Sequence, residues 1–178
     1  GTRCRFRTTA DVDLYPLQLE QVSMESASSG QSALRLRFAT LPGATLGQAG
    51  IERLRLHLVG EPAYTLYYWL CRYVGKIKLR LLTQGRPAEE LGLPDCKIQP
   101  FGFAKEEALL PYPQTAFDGY RLLQEYFAFP QKFLAVDLSD LRPLARRSSA
   151  TTFEILILFT KAPPASLRVS KDHVRLFC

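Results

Sequence analysis

The 178-residue sequence is poor in the residues from which catalytic and metal sites are built. It contains two histidines, one tryptophan, one methionine and four cysteines, and the cysteines are far apart at Cys4, Cys71, Cys96 and Cys178. No CxxC pair, HExxH, GxSxG or glycine-rich phosphate loop occurs. The scarcity argues against an enzyme and predicts neither a cofactor nor a metal site, because a metal needs several ligands at close spacing.

The sequence also lacks a signal peptide and a long hydrophobic run. Its longest apolar stretch, residues 63–74, is interrupted by Thr65 and Arg72 and is shorter than the ~18 residues that a membrane span needs. The cysteines are too sparse for a disulfide scaffold, so we expect them to be reduced and buried. These absences predict a cytoplasmic protein with no direct membrane insertion.

The ends of the sequence are unlike natural termini. The chain starts at Gly1, its only methionine is Met24, and its last residues form an apolar run typical of a strand. We therefore expect an internal part of a longer protein. With 47% apolar and 22% charged residues, residues 1–178 are predicted to fold as a single domain with a substantial core.

Alternation of apolar and polar residues predicts several half-buried strands. The clearest lie at residues 15–19, 34–38, 54–58 and 76–81, and Pro16 favours a sheet edge for the first of them. Residues 28–30 are expected to form the turn after that first strand. Residues 133–136 and 153–159 are apolar on both faces, as in a covered central strand, and residues 96–98 and 173–177 are further candidates.

Few segments are predicted to be helical. One helix is expected at residues 64–73, packed on most sides and ended by Gly75, and another at 118–127, with Asp118 as N-cap and Pro130 as its stop. A short turn is expected at 105–109, and loops at 42–50, 84–94 and 142–151. The predicted fold class is mainly β or α+β, an antiparallel sandwich or curved sheets of about eight strands with two or three short helices packed at one end.

Basic residues are the one organised polar feature. The chain has 23 Lys and Arg against 17 Asp and Glu, a net charge of +6. If the strands that carry them are neighbours, seven cations form one stripe: Arg35, Arg37, Arg53, Arg55, Lys76, Lys78 and Arg80. The stripe is interpreted either as solvated surface or as an interface for an acidic partner subunit. Nucleic acid is disfavoured because no aromatic interleaving or known binding motif accompanies the charge.

The most distinctive segment spans residues 100–138 and concentrates aromatic side chains. We expect a helix docked between sheet elements, with Leu122, Leu123, Tyr126 and Phe127 on its buried face. Arg121 and Glu125 lie four residues apart on one helix face and are expected to pair.

This segment resembles the TssF family, also called VasA or ImpG, of type VI secretion baseplates. The resemblance rests on GYRLLQEYFAFP at residues 119–130, on the strand that follows at 132–137, and on PFGF and EEALLPYP within 100–113. Weaker similarity extends to residues 15–17, 54–60 and 67–70. The residues that carry the motif are Tyr120, Arg121, Leu122, Leu123, Glu125, Tyr126, Phe127, Pro130 and Phe133.

The resemblance implies a structural role in the wedge of a bacterial, phage-tail-like contractile injection system. Its implied partners are TssG, TssK, a second TssF copy and the spike hub. Its implied location is the cytoplasmic baseplate docked at the inner membrane complex, without cofactor, catalytic residue or nucleic acid. The alternative is a ligand- or carbohydrate-binding β-domain, for which exposed aromatics should form a row on one concave surface, whereas aromatics scattered in the core favour the scaffold.

Overall fold

The computed structural model describes residues 3, 11–26, 30–83, 85–110, 113, 115, 117–146 and 149–177. In chain order its strands and helices are β1 (Leu17–Ser26), β2 (Ser32–Thr40), α1 (Leu46–Ala49), β3 (Leu54–Leu58), α2 (Ala63–Arg72), β4 (Val74–Thr83), β5 (Arg86–Gly92), β6 (Lys97–Pro100), α3 (Asp118–Ala128), β7 (Ala135–Ser139), α4 (Arg142–Ala145), β8 (Thr152–Phe159) and β9 (Val174–Arg175). Short 3-10 turns cover Lys105–Glu107, Pro130–Phe133 and Lys171–His173.

Within these described ranges the strands form two antiparallel sheets. The first has five strands in the order β1-β2-β8-β4-β5, and the second has four in the order β6-β7-β3-β9. The expected fold class, mainly β or α+β with antiparallel sheets, is confirmed. The predicted positions of β2 to β4, β6 and β8 are also confirmed to within a few residues, while β1, expected at residues 15–19, starts at Leu17 and continues to Ser26.

Alternate residues of both sheets meet in one hydrophobic core. Leu36 of β2 lies opposite Ile155 of β8, and Leu56 of β3 lies opposite Val136 of β7; all four are buried in the same cluster. Phe38 and Phe153 stack with ring centroids 5.1 Å apart. Period-two patterning thus orients each strand, since its apolar positions all fall on the face that turns inward.

Strand β8 is buried on both faces, as its apolar sequence predicts. Its odd-numbered residues face the main core, while Leu156 and Leu158 pack with Ala33 in a second buried cluster on the outer face of the five-stranded sheet. In that sheet β8 lies between β2 and β4. The continuous apolar run is therefore explained by its position among the strands.

Three segments predicted to be loops contain regular structure. Residues 84–94 include β5, and the other two include α1 and α4. In α1, Thr45 and Gln48 form a capping box, which stabilises a single turn. Strand β5 is exposed along almost its whole length and has no apolar alternation, because it is held by hydrogen bonds to the edge of β4 and not by burial of one face.

Other boundaries also differ from expectation. Gly75 does not end α2; the helix is capped by Tyr73, and Gly75 lies in a bulge between Val74 and Lys76 in β4. Phe133 belongs to a 3-10 turn, so β7 starts at Ala135. The strand expected at 173–177 is limited to β9, and most of the turn expected at 28–30 lies outside the described residues.

Candidate functional site

Helix α3 buries the side that its sequence predicts to be exposed. Its buried residues are Arg121 and Glu125, which are 2% and 1% exposed. Phe127, expected in the core, is 81% exposed, and Leu123 and Tyr126 are also exposed, while Leu122 is half-buried. The expected pair between Arg121 and Glu125 is confirmed, with Nη1 3.2 Å from Oε2. The predicted buried face is wrong because charge pairing, and not apolar burial, holds this helix.

The Glu125 carboxylate is the centre of a buried charge cluster. Its Oε1 accepts hydrogen bonds from the backbone N–H groups of Leu109, at 2.8 Å, and Leu110, at 3.4 Å. Its Oε2 accepts from Arg121 and from the Nζ of Lys132, which is 4% exposed. One carboxylate therefore connects the helix, the preceding loop and the following turn.

Arg121 extends the cluster to the loop at residues 101–104. Its Nη2 donates to the carbonyl oxygens of Phe103, at 3.0 Å, and Ala104, at 3.3 Å. Glu107, in the 3-10 turn that follows this loop, accepts hydrogen bonds from the backbone N–H groups of Gly102, at 2.7 Å, and Ala104, at 3.1 Å. The separate stretches PFGF, EEALL, GYRLLQEYF and QKF, which carry the resemblance to a family, thus meet around two inward-facing charged side chains of α3.

Lys132 is a functional residue of this cluster that sequence reasoning missed. It lies seven residues beyond Glu125, after the helix has ended, so helical spacing gives no signal for it. Gly102 makes room for its stem: φ is +102° there, and a Cβ would approach Lys132 to 3.3 Å. The positive φ thus favours glycine at this position of PFGF, and a Cβ there would also require the Lys132 or Phe133 side chain to shift slightly.

The cluster keeps the Glu125 carboxylate ionised. Burial alone raises its pKa, but hydrogen bonds from Lys132 and from the N–H groups of Leu109 and Leu110 outweigh burial, so the pKa of Glu125 lies below its usual range. Hydrogen bonds to the charged form stabilise that form. The interior of this region thus holds a carboxylate in its charged state.

This pKa predicts loss of stability in acid. The unfolded chain binds the proton more readily than the folded one, so the stabilisation is complete above the usual carboxyl pKa of about 4.3 and disappears as pH falls through the lower, folded-state value. We expect urea midpoints measured between about pH 6 and pH 3 to fall less steeply for Glu125→Gln than for the wild type. Glu106→Gln, at an exposed position, is the control; equal slopes for all three proteins would contradict the prediction.

The outward side of α3 and its ends form a surface of large apolar side chains, here called the aromatic surface. Its members are Phe117, Tyr120, Leu123, Tyr126, Phe127 and Phe129, each 47–81% exposed. Phe117 packs edge-on against Tyr120, with ring centroids 5.8 Å apart, and Tyr126 packs in the same way against Phe127 at 5.9 Å. Because Arg121 and Glu125 point inward, the helix exposes its aromatic side and buries its charged side.

The aromatic surface continues into a groove between α2 and α3. The groove has a volume of about 400 Å³ and is lined mainly by aromatic and aliphatic side chains, among them Tyr64, Tyr67, Phe103, Leu122 and Tyr126. Helix α2 contributes because it buries one narrow stripe and leaves Tyr64 and Tyr68 exposed; the expectation that it is packed on most sides is wrong.

The position of the exposed aromatics differs from both arrangements expected from the sequence. Among the described residues, the exposed aromatic side chains lie on α2, α3 and adjoining loops, and none lies on a strand. They are not scattered in the core, as expected for a scaffold, and they do not form a row on a sheet; several of them line the groove between α2 and α3. A helical surface of this kind is typical of a protein–protein contact.

The seven cations do not form one stripe. Arg55 lies in β3 of the four-stranded sheet, and Arg53 directly precedes that strand. The other five cations lie on β2 and β4, which are separated by β8. The premise that these strands are neighbours is therefore wrong. Contact between individual cations and a partner stays a prediction.

Most of the seven are neutralised within the chain. On the outer face of the five-stranded sheet, one residue from each strand forms a charge ladder, Glu25, Arg35, Glu154, Arg80 and Glu90, with successive N–O distances of 3.5, 3.7, 3.2 and 3.2 Å. Arg37 pairs with Glu20 at 3.2 Å and Lys78 with Glu90 at 2.6 Å. Lys76 forms no ion pair with a described residue.

The two arginines of the other sheet are also paired. Arg55 forms two hydrogen bonds to Asp137, at 2.7 and 2.8 Å, and its guanidinium lies 3.4 Å from the centre of the Phe101 ring. Arg53 binds Asp13 at 2.8 Å, and this bond is the main reason that its pKa is raised. Sequence patterning locates these cations on strands but gives no sign of the carboxylates that neutralise them.

Other features of the described residues bear on the expected chemistry. In this part of the chain, no group of three or more His, Cys, Asp or Glu side chains is arranged to hold a metal ion. No described helix is long and apolar enough to cross a membrane. Cys96 is buried but Cys71 is exposed, so the expectation of buried thiols is wrong for Cys71; Cys4 and Cys178 lie outside the described residues.

Comparison with known proteins supports the resemblance that these motif segments carry. The sequence model of the family described as "Type VI secretion system, TssF" matches residues 1–178. The chain belongs to the TssF family. It is 33% identical over 174 residues to the type VI secretion system component TssF1 of Pseudomonas aeruginosa, a match that covers 90% of this chain and 28% of TssF1.

A solved structure also resembles this TssF chain. It is a chain of the type VI secretion system TssK-TssF-TssG baseplate subcomplex, determined by cryo-electron microscopy, with a TM-score of 0.83 and 34% identity. The match covers 98% of this chain and 33% of that one. The TssF chain described here thus spans about a third of its relatives or less. Its charge cluster is the feature that joins the motif segments of the family in space.

Proposed function

We propose that this TssF chain is a non-catalytic structural part of a type VI secretion baseplate. In this proposal it acts in the cytoplasm by assembly with TssG, TssK, a second TssF copy and the spike hub. Family membership and the similarity to a chain of the TssK-TssF-TssG subcomplex support the proposal. Residues 1–178 are proposed to form one domain, since both sheets contribute to the same buried cluster.

The observation that carries the proposal is the aromatic surface. Soluble monomers rarely expose a continuous apolar patch without a function for it, and aromatic side chains are enriched at the centres of protein interfaces. The charge cluster makes this exposure stable, because turning Phe127 inward would move Arg121 and Glu125 away from their partners. The buried charge cluster therefore keeps the aromatic side chains exposed, where a partner can contact them.

We assign the aromatic surface to contact with TssG. Its exposed side chains are uncharged, and such apolar surfaces are typical of permanent complexes more than of transient ones. The resemblance to the TssF family implies that TssF copies and TssG form one unit, which TssK then joins. An apolar surface suits the permanent contact better than the later one.

Replacing two outward aromatics should separate TssG from the complex. In the full-length protein, Tyr120→Ser combined with Phe127→Ser is expected to reduce co-purification of TssG at least about tenfold, because both side chains are exposed on the part of the chain that the structure describes and contribute little to its core. Thermal unfolding of the isolated protein should be almost unchanged. The matched control is Leu41→Ser, an exposed apolar residue after β2.

Two outcomes would contradict the assignment. Undiminished co-purification of TssG with the double variant would remove the aromatic surface from the interface. Loss of TssK with full retention of TssG would show that the surface has a different partner.

A further inference from the structure

A second, chemically different groove lies at the other end of α2. It has a volume of about 680 Å³ and runs between the start of β4 and strand β6, beside the last turn of α2 and the β5–β6 connection. Its buried lining residues are apolar: Leu70, Ile77, Leu93 and Cys96. A volume of this size is within the range of ~300–1,000 Å³ found for binding pockets.

The groove is lined by several cations that are not neutralised by described carboxylates. Arg72, Lys76 and Lys97 line it, are exposed, and form no ion pair with a described residue. Lys78 lines it as well and donates to Glu90. None of its lining residues carries a carboxylate or an aromatic ring. These cations contrast with the neutralised arginines of the two sheets, and they favour a negatively charged occupant.

Strand β6 offers hydrogen-bonding groups at this groove. In the described part of the chain β6 pairs on one side only, with β7. Phe101 N–H donates to Ala135 O at 3.0 Å, and the antiparallel register pairs Gln99 with Asp137 and Ile98 with Leu138. Because hydrogen-bonded and non-hydrogen-bonded pairs alternate, the N–H and C=O of Ile98 point away from β7, and Ile98 lines the groove.

Strand β4 is also open here. Its pairing with β5 begins at Lys78. The contact on this side that lies nearest the start of β4 is the hydrogen bond from Leu93 N–H to Ile77 O, at 2.9 Å. Before Ile77, no described strand lies on that side of β4. The groove is thus bordered by the outer edges of two strands, one from each sheet, which is the setting for binding an extended peptide as an added strand.

We infer that this basic groove binds an extended acidic segment of a partner protein, which pairs with the outer edge of β6 and places its carboxylates near Arg72, Lys76 and Lys97. A nucleic acid would also meet the positive charge, but no aromatic ring lines the groove for bases to stack on. A peptide uses both features of the groove, the cations and the strand edge. The inference is independent of the proposed contact between TssG and the aromatic surface.

The test uses a labelled octapeptide in which glutamate alternates with valine, titrated into the full-length protein at about 50 mM salt and followed by fluorescence anisotropy. We expect saturable binding that Lys76→Glu combined with Lys97→Glu weakens about tenfold or more. Arg86→Glu combined with Lys171→Glu changes the net charge equally at two exposed cations outside the groove lining. That control should bind within about twofold of the wild type.

The alkylation rate of Cys71 shows whether the peptide binds in the groove. Cys71 lines the groove and is exposed, so the peptide should slow its alkylation by iodoacetamide, measured by peptide mass spectrometry. Cys96 serves as the slow internal reference, because burial raises the pKa of its thiol to about 12. Full-rate alkylation of Cys71 at saturating peptide would overturn the inference.

Three further results would also overturn it. The first is equal weakening by both double variants, which would indicate only a response to net charge. The second is equally tight binding of a peptide in which proline replaces valine, since proline lacks the N–H needed for strand pairing. The third is a single-stranded oligonucleotide of equal charge that binds more tightly and displaces the peptide, which would identify the groove as a nucleic-acid site.

Discussion

Replacing Glu125 with alanine is expected to lower the free energy of unfolding by about 3–5 kcal/mol. The carboxylate accepts hydrogen bonds from Arg121, Lys132 and two backbone N–H groups. Its removal leaves two buried cations without their anion, and an unpaired buried charge costs far more than the net value of the pair. The cost should exceed that of breaking any exposed ion pair in the chain.

Urea denaturation followed by circular dichroism measures this effect. The control is Asp118→Asn, which breaks the ion pair of Asp118 with Lys105 near the start of α3. The Lys105 side chain is largely exposed and that of Asp118 partly exposed, so a loss under about 1 kcal/mol is expected. A triple variant, Arg121→Met, Glu125→Leu and Lys132→Met, should recover much of the lost stability, because apolar side chains can replace a buried charge cluster. If Glu125→Ala lowered the free energy of unfolding no more than Asp118→Asn does, Glu125 would not be the centre of a buried charge cluster.

Replacing Glu154 with alanine should have the second largest effect, a loss of about 2–3 kcal/mol. Glu154 is 3% exposed and lies in β8 between Arg35 of β2 and Arg80 of β4. Without it, two cations face each other across the middle of the five-stranded sheet. Arg35 keeps Glu25, and Arg80 keeps Glu90 and a longer contact of 3.8 Å with Glu25. Glu154→Gln should lower the free energy of unfolding less than Glu154→Ala, since the amide oxygen still accepts a hydrogen bond.

The control for Glu154 lies on the same sheet face. Glu20→Ala removes the partner of Arg37, but both side chains are partly exposed, so we expect a loss below about 1 kcal/mol. The difference between the two variants should persist at about 0.5 M salt, because a buried carboxylate is screened less than an exposed one. Equal losses for Glu20→Ala and Glu154→Ala would show that the ladder has no buried centre.

The strands could be predicted from the sequence because their signal is local. Leu54, Leu56 and Leu58 alternate with polar residues, and that alternation alone places β3 with one face inward. Strand β5 could not be found in this way. It buries no face, and it is a strand because β4 offers it an edge to pair with.

The candidate site was only partly visible in the sequence. Spacing of four residues predicts that Arg121 and Glu125 share one side of α3 and pair, and they do. Spacing does not tell which side of a helix faces the protein. For α3 the decision is made by groups distant in sequence, Lys132 and the loop carbonyls and N–H groups that meet the two charged side chains.

The sequence by itself thus determined the fold class, most strand positions, the TssF resemblance and the scarcity of catalytic groups, since all of these depend on local composition, period and motif. Only the tertiary structure decided how charge is distributed. It paired Arg35, Arg55 and Arg80 with carboxylates from other strands and left Lys76 and Lys97 without an ion pair to any described residue, beside an open strand edge. It also turned the aromatic side of α3 outward, because a buried ion can be stabilised only by groups that the fold brings to it.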